Sequence, residues 1–388
     1  MEYIVKFYII IMNIVYFFLK LLPTQKKITM LSRESDEVPV DFALLEKEII
    51  RHDPSYKVVL LPKMLHKTLN SKISYACHMY RQMYHLATSR LVILDTYCIA
   101  VSVLRHKEEL KVIQIWHAMG ALKKFGYSIL DQPGGSTSKM ARLMKMHHNY
   151  DYVLASSRNC IPFFSEAFRV PPEKIVVKPL PRTDLLLDRQ YMSKKREEIL
   201  RAYPRLKNKK NITYIPTFRK KSKIKIEDFV NKLDFNQYNF IVKPHPLMSF
   251  STTHHEVIVP DEFSTLDVLS VSDFLVNDYS AFTFEAALLD KPMFFYVPDL
   301  KRYLKERNFY IDYHNEMPGL ITDNAGTIID HIRNNDYDLS LNKKFREKYV
   351  TVNRSRSATA DIVDFMFDVI GSEGEKKPNL CSDHSRDL

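Results

Sequence analysis

Ten short apolar runs of strand length, in two sets of five, constrain what this chain folds into more than any other feature. The first set is KITMLS, YKVVLLP, RLVILDTY, KVIQIW and DYVLAS, between Lys27 and Ser156. The second is NITYIPTF, NFIVKP, EVIVP, DFLVND and MFFYVP, between Asn211 and Pro298. Each run is rich in β-branched and aromatic residues, the pattern of a strand buried on both faces. Helical stretches such as Asp41 to Arg51 and Ser71 to Thr88 separate most of them. Strands alternating with helices build a parallel sheet covered by helices. Between the two sets the pattern stops: a basic, polar helix, Met192 to Arg205, is followed by a Lys-rich loop. Two doubly wound α/β domains joined near residues 180–210 are therefore expected, and 388 residues is more than one core usually serves. The expected divisions are 1–22, 23–190, 191–371 and a disordered polar tail, 372–388.

The first segment, MEYIVKFYIIIMNIVYFFLKLLP, is almost wholly apolar between Tyr3 and Leu22. Lys6 and Lys20 bracket an uncharged stretch with Asn13 in its middle, and Pro23 is placed to end a helix. That stretch is shorter than the roughly 20 residues that cross a bilayer. Bulky residues stand where a signal peptide carries small ones. A membrane-associated helix is expected, lying in the interface or shallowly inserted, with its aromatic residues at headgroup level. The formal net charge of +11 favours polyanionic partners, an anionic membrane surface among them. The four cysteines are far apart and form no CxxC pair, which excludes a zinc ribbon and a disulfide scaffold. No RNP motif, helix-turn-helix signature or basic arm supports nucleic-acid binding.

Ligands of doubly wound sheets bind at the carboxyl ends of the strands, so the residues just past each strand carry the functional information. His117 follows KVIQIW. Arg219 follows NITYIPTF. His245 stands between Pro244 and Pro246. Asp278, Tyr279 and Ser280 follow DFLVN. A histidine at a strand end is more often a satisfied structural residue than a catalyst; two of them with an arginine and a D-Y-S turn, all at strand exits, favour an active site. The segment after Ser280 is expected to be a helix, Thr283 to Leu289, whose free N–H groups and dipole suit a phosphate, with Glu285 one turn in to meet a ribose. The chain contains neither GxGxxG nor GxxxxGK[ST]. Asp336-Tyr337-Asp338 formally spells DxD but falls in a polar loop. Adjacent His147 and His148 do not share a helix face, so neither is taken as a ligand.

The stretches WHAMGALKKFG, YIPTFR, KPHP and SDFLVNDYSAFTFEAALLDKPMFFYVPDLKRYLKERNFYIDY together resemble the CDP-glycerol glycerophosphotransferase family of teichoic acid synthesis, over roughly residues 90–350. The resemblance implies the GT-B glycosyltransferase fold, two Rossmann-like domains with a cleft between them. It implies a peripheral enzyme on the cytoplasmic face of the cell membrane that moves glycerol phosphate from CDP-glycerol to a lipid-linked acceptor and releases CMP. His117 then matches the general base and His245 a contact to the transferring phosphate. Arg219 matches a diphosphate ligand, and Asp278, Tyr279 and Ser280 lie beside phosphates and ribose with Thr283. Glu285 stands where many members carry Asp, which keeps the carboxylate and lengthens its reach. Trp116 to Lys123 has the W-H-A-x-G-A form of the primase branch, which adds the first unit to an undecaprenyl-diphosphate disaccharide. The chain also shows no extra N-terminal domain of the kind long polymerases carry. The turn from Gly120 leaves room for an acceptor sugar, with Lys123 and Lys124 near the lipid diphosphate. No metal cluster and no cofactor are expected, and a homo-oligomer is left open. A short poly(glycerol phosphate) polymerase, a CDP-ribitol user and a GT-B nucleotide-sugar glycosyltransferase are the alternatives.

Overall fold

The computed structural model describes residues 2–65, 68–217, 224, 226–245, 250–353 and 355–371. Arg219 and the tail 372–388 lie outside them. The chain starts with helix α1 (Glu2–Leu19). Its inner face buries Met12 and Tyr16. The Tyr16 hydroxyl donates to His106 Nδ1 at 2.9 Å, while His106 Nε2 donates to the Val101 carbonyl at 2.7 Å. Burial holds this imidazole neutral, lowering its pKa to about 4. Asn13, the polar break in the apolar run, donates through Nδ2 to the Val103 carbonyl at 3.3 Å. The outer face is different in kind: Tyr3, Ile4, Phe7, Ile10, Ile14, Phe17, Phe18 and Leu21 are all more than half exposed. A contiguous apolar face on that scale marks an interaction surface.

The first sheet takes β1 (Lys27–Ser32), β2 (Lys57–Pro62), β3 (Leu91–Leu94), β4 (Lys111–Gln114), β5 (Tyr152–Ala155) and β6 (Ile175–Val177) in the order β2-β1-β3-β4-β5-β6. Helices α2 (Val40–His52) and α3 (Leu69–Thr88) are its first crossovers. The second sheet takes β7 (Lys210–Ile215), β8 (Tyr238–Val242), β9 (Val257–Ile258), β10 (Phe274–Asn277), β11 (Met293–Tyr296) and β12 (Gly319–Thr322) in the order β12-β11-β10-β7-β8-β9. Every pairing is parallel. All ten runs read as strands contain one, while β6 and β12 were not anticipated. Both are short and end their sheets, where packing rather than composition selects the strand.

The chain divides into two compact units, residues 1–117, 125–182 and 352 onward, and residues 118–124 with 183–351. This departs from the expected division in three ways. The main boundary falls at 182/183 and not at 190/191. Residues 118–124 belong with the second unit: Lys124 N donates to the Asn308 carbonyl at 2.8 Å and Tyr310 N to the Leu122 carbonyl at 3.0 Å. The helix Ala358–Gly371 returns to the first unit, where Phe367 stacks on His52 with centroids 4.2 Å apart and Arg90 donates to the Ile370 carbonyl at 3.2 Å.

The two faces of α1 make opposite demands. Met12→Ala should cost about 2–5 kcal/mol by emptying a filled site. Phe18→Ala should stay within about 0.5 kcal/mol, as surface changes do. Urea midpoints of the two variants check this, and equal losses would refute the docked geometry.

Candidate active site

In the first sheet strand order reverses between β1 and β3, the place where a doubly wound sheet opens a crevice at its carboxyl edge. His117 stands three residues past β4 and turns toward that point. Its Nδ1 lies 3.1 Å from the Asp95 carbonyl, at the exit of β3. A carbonyl only accepts, so in the neutral ring Nδ1 carries the proton and Nε2 keeps its lone pair. Glu34 Oε1, past β1, lies 3.8 Å from the same nitrogen. The loop carrying Glu34 is fixed by two bonds, Arg33 N to Thr96 Oγ1 and Glu34 N to Ser32 Oγ, both 3.2 Å. Arg182 grips Asp41 with its backbone N–H and Nε, each at 2.9 Å, and donates to the His117 carbonyl at 3.3 Å.

Trp116 sets the direction of the imidazole. It has a φ of 60°, the left-handed region that bulky residues rarely enter. Its N–H donates to Gln114 Oε1 at 2.8 Å, and Gln114 in turn donates to the Thr96 carbonyl at 3.0 Å. The indole stacks on Phe125 at 4.7 Å and meets Phe168 edge-on at 5.2 Å. Strain of this kind persists only where the surroundings over-determine it.

Asp95 was not singled out in the sequence, although a carboxylate at a strand exit was there to be noticed. It is 4% exposed, and its Oδ1 has no hydrogen-bond partner among the described residues. Burial pushes its pKa up to about 7; the charges of Glu34 and Asp41 add to the rise, while bonds from Ser32 and Thr96 oppose it. Glu34, Asp41 and Arg182 were missed for a different reason: they come from distant polar stretches that only the folded sheet brings to one edge.

In the second sheet the reversal falls between β7 and β10. Asp278 occupies it, fully buried. Both its carboxylate oxygens accept from Thr217 N at 3.0 Å, and the Thr217 hydroxyl donates to Oδ1. Its carbonyl accepts from Tyr313 at 2.8 Å. Asp278 thus ties two strand exits together instead of standing open as a ligand contact. Tyr279, expected beside the substrate, is fully buried: it stacks on Tyr303 at 3.8 Å and donates to Asp299 at 3.0 Å. Ser280 is half-buried, and its Oγ accepts from Phe282 N at 3.2 Å.

The expected helix to Leu289 is a single turn, Thr283–Ala286, too short for an appreciable dipole. Its side chains face inward: Thr283 accepts from Asn277 at 2.9 Å, and Glu285 is 2% exposed. Gly120 is explained by packing, because a Cβ there would stand 2.4 Å from the Phe284 ring. Lys123 donates to the Tyr303 hydroxyl at 3.2 Å, and the Lys124 ammonium lies 5.5 Å from the centre of the Tyr310 ring. His245 is exposed just past β8. Asp338, the second acid of the DxD sequence, accepts from Ser340 N at 2.8 Å in the turn that leads into the helix Ser340–Tyr349.

Two predictions follow from these contacts. Unfolded, Asp95 loses its proton near 3.8, and folded, near 7. Between those values the unfolded chain binds fewer protons than the folded one, so stability falls as pH rises, by about 4 kcal/mol across the window. The melting temperature of wild type relative to Asp95→Asn should therefore fall from pH 4 to pH 8; a constant difference would contradict the buried, protonatable carboxyl. Gly120→Ala should destabilise by about 1–3 kcal/mol through overpacking. The Phe284 ring cannot swing away freely, since Phe345 packs on it at 5.2 Å. A wild-type denaturation midpoint for Gly120→Ala would contradict that packing.

Comparison with known proteins agrees with the two-sheet fold. The family model described as CDP-glycerol:poly(glycerophosphate) glycerophosphotransferase matches residues 14–368. A teichoic acid ribitol-phosphate primase of Bacillus spizizenii is 34% identical over 361 residues, 89% of this chain and 92% of that protein. A teichoic acid glycerol-phosphate primase of the same organism is 27% identical over 76% of this chain and 79% of its own length. The solved structure of the wall teichoic acid polymerase TagF shares the fold, with a TM-score of 0.75 at 20% identity over 97% of this chain and 98% of that one. The chain belongs to the CDP-glycerol:poly(glycerophosphate) glycerophosphotransferase family of teichoic acid synthesis.

Proposed function

We propose that the protein transfers a polyol phosphate from a CDP-activated polyol to a hydroxyl of a lipid-linked acceptor, releases CMP, and acts as a primase that adds the first unit. The observation that carries this reading is the His117 imidazole, whose Nδ1–H is committed to the Asp95 carbonyl at 3.1 Å and whose Nε2 is thereby the base. The acceptor hydroxyl attacks the β-phosphorus, its proton passes to Nε2, and the bond from that phosphorus to the CMP oxygen breaks. Glu34, 3.8 Å from Nδ1, stabilises the imidazolium that forms. Phosphoryl transfer depends mainly on positioning and charge neutralisation. We assign the neutralisation to Arg219 and His245 on the donor side. Asp278 acts through Thr217, two residues before Arg219, as a positioning residue.

Identity supports the primase: the chain is 34% identical to the ribitol-phosphate primase and 30% identical to a poly(ribitol-phosphate) polymerase of the same organism. CDP-glycerol was the donor first expected. The higher identity and coverage of the ribitol-phosphate primase favour CDP-ribitol instead. For localisation, α1 is anchored to its own unit by Met12 and Tyr16, which supports a helix lying on the cytoplasmic membrane surface rather than crossing it.

Full-length protein with a lipid-linked disaccharide in vesicles should release CMP from CDP-ribitol faster than from CDP-glycerol and yield an acceptor heavier by one unit. Product mass decides between one unit and many. His117→Ala should keep its melting temperature and donor affinity and lose about 10²–10⁴-fold in kcat. Near-normal turnover in that variant would remove His117 as the base.

A further inference from the structure

A cavity of about 610 Å³ opens in the first unit where β2 ends and α3 begins. Lys63, just past β2, lines one side. Ser74, His78 and Arg81 line the other, at the four- and three-residue spacings that share a helix face. Lys63 and Arg81 form no ion pair among the described residues. His78 Nε2 is buried without a hydrogen-bond partner among the described residues. Burial, then the charges of Lys63 and Arg81, lowers its pKa, so the ring is neutral. Asp36, the acid on the wall, accepts from Met64 N at 3.0 Å. The cavity is therefore cationic and rich in donors, a match for phosphate oxygens.

Its surroundings are apolar. On the next stripe of α3, Ile73 is 58% exposed, Tyr80 38% and Tyr84 40%. α3 packs against α1, so this stripe adjoins the exposed apolar face of α1. A cationic cavity beside an apolar surface suits a ligand with a phosphorylated head and a hydrocarbon tail. The loop after β1 links the cavity to the base: Glu34 faces His117, and Asp36 lines the cavity. Two residues span at most about 7 Å.

We propose that this cavity holds the diphosphate head of the lipid-linked acceptor, with the lipid chain along the outward faces of α1 and α3 and the sugar hydroxyl directed toward His117. The proposal rests on the transfer reaction proposed above. The test compares wild type with the full-length double variant Lys63→Ala/Arg81→Ala and with Arg81→Glu, each first checked for an unchanged melting temperature. Neutral phosphatidylcholine vesicles carrying geranylgeranyl diphosphate are the probe. Inorganic pyrophosphate and phosphatidylglycerol vesicles are the controls. Wild type should bind the diphosphate-bearing vesicles about tenfold or more tightly than the variants, the scale of a lost charge-assisted contact. The variants should raise the acceptor KM by a similar factor, with the donor KM at its wild-type value. Variants that match wild type in both measurements would overturn the assignment. An equal loss on phosphatidylglycerol vesicles would make the cavity a general anionic-lipid site and overturn the acceptor. Binding of pyrophosphate alone would overturn the lipid. If wild type releases no CMP from either CDP-polyol, the transfer reaction fails, and with it the acceptor assignment, even where vesicle binding still depends on Lys63 and Arg81.

Discussion

Parallel pairing is the constraint on which the rest depends. Because every strand in each sheet runs the same way, all strand exits of a sheet fall on one edge. Residues separated by many positions, Glu34, Asp95 and His117, thereby meet without any local sequence relation. The hydrogen bond from His117 Nδ1 to the Asp95 carbonyl is one product of that geometry. Asp278 and Thr217, which meet at the reversal in the second sheet, are another. Both pairings tie adjacent strand exits together. One presents a ring nitrogen, and the other holds the chain that leads into Arg219.

The strands were legible because a strand buried on both faces must be continuously apolar, and such runs stand out against polar helices. His117 stood out only in company, because His245, Arg219 and the D-Y-S turn also follow strands. Partners reached through a backbone carbonyl were not: the bond to Asp95 uses no side-chain chemistry of Asp95, so nothing in the residue type announces it. Tyr279, Thr283 and Gly120 illustrate the opposite error. Their place in a conspicuous motif suggested contact with substrate. In the fold Tyr279 fills an aromatic stack, Thr283 closes a buried hydrogen bond, and Gly120 yields space to Phe284. A motif can be strongly patterned because its members pack on one another.

The apolar first segment shows how composition and structure divide the information. Its hydrophobicity alone did not say which side chains face the protein. Met12 and Tyr16 are buried while Tyr3, Phe7 and Phe18 are not, a division set by the first unit against which the helix lies. Asn13, in the middle of the uncharged stretch, donates to the Val103 carbonyl and so belongs to the inner face.

Trp116 sets backbone strain against aromatic packing at one residue. Its left-handed backbone carries about 1–3 kcal/mol of strain. Glycine would release that strain and give up the packing on Phe125 and Phe168. Emptying a large aromatic site costs about 3–5 kcal/mol, so the exchange loses more than it gains. The ring therefore holds the chain in a turn that the backbone alone would leave, and the direction of the neighbouring imidazole is inherited from a packing contact.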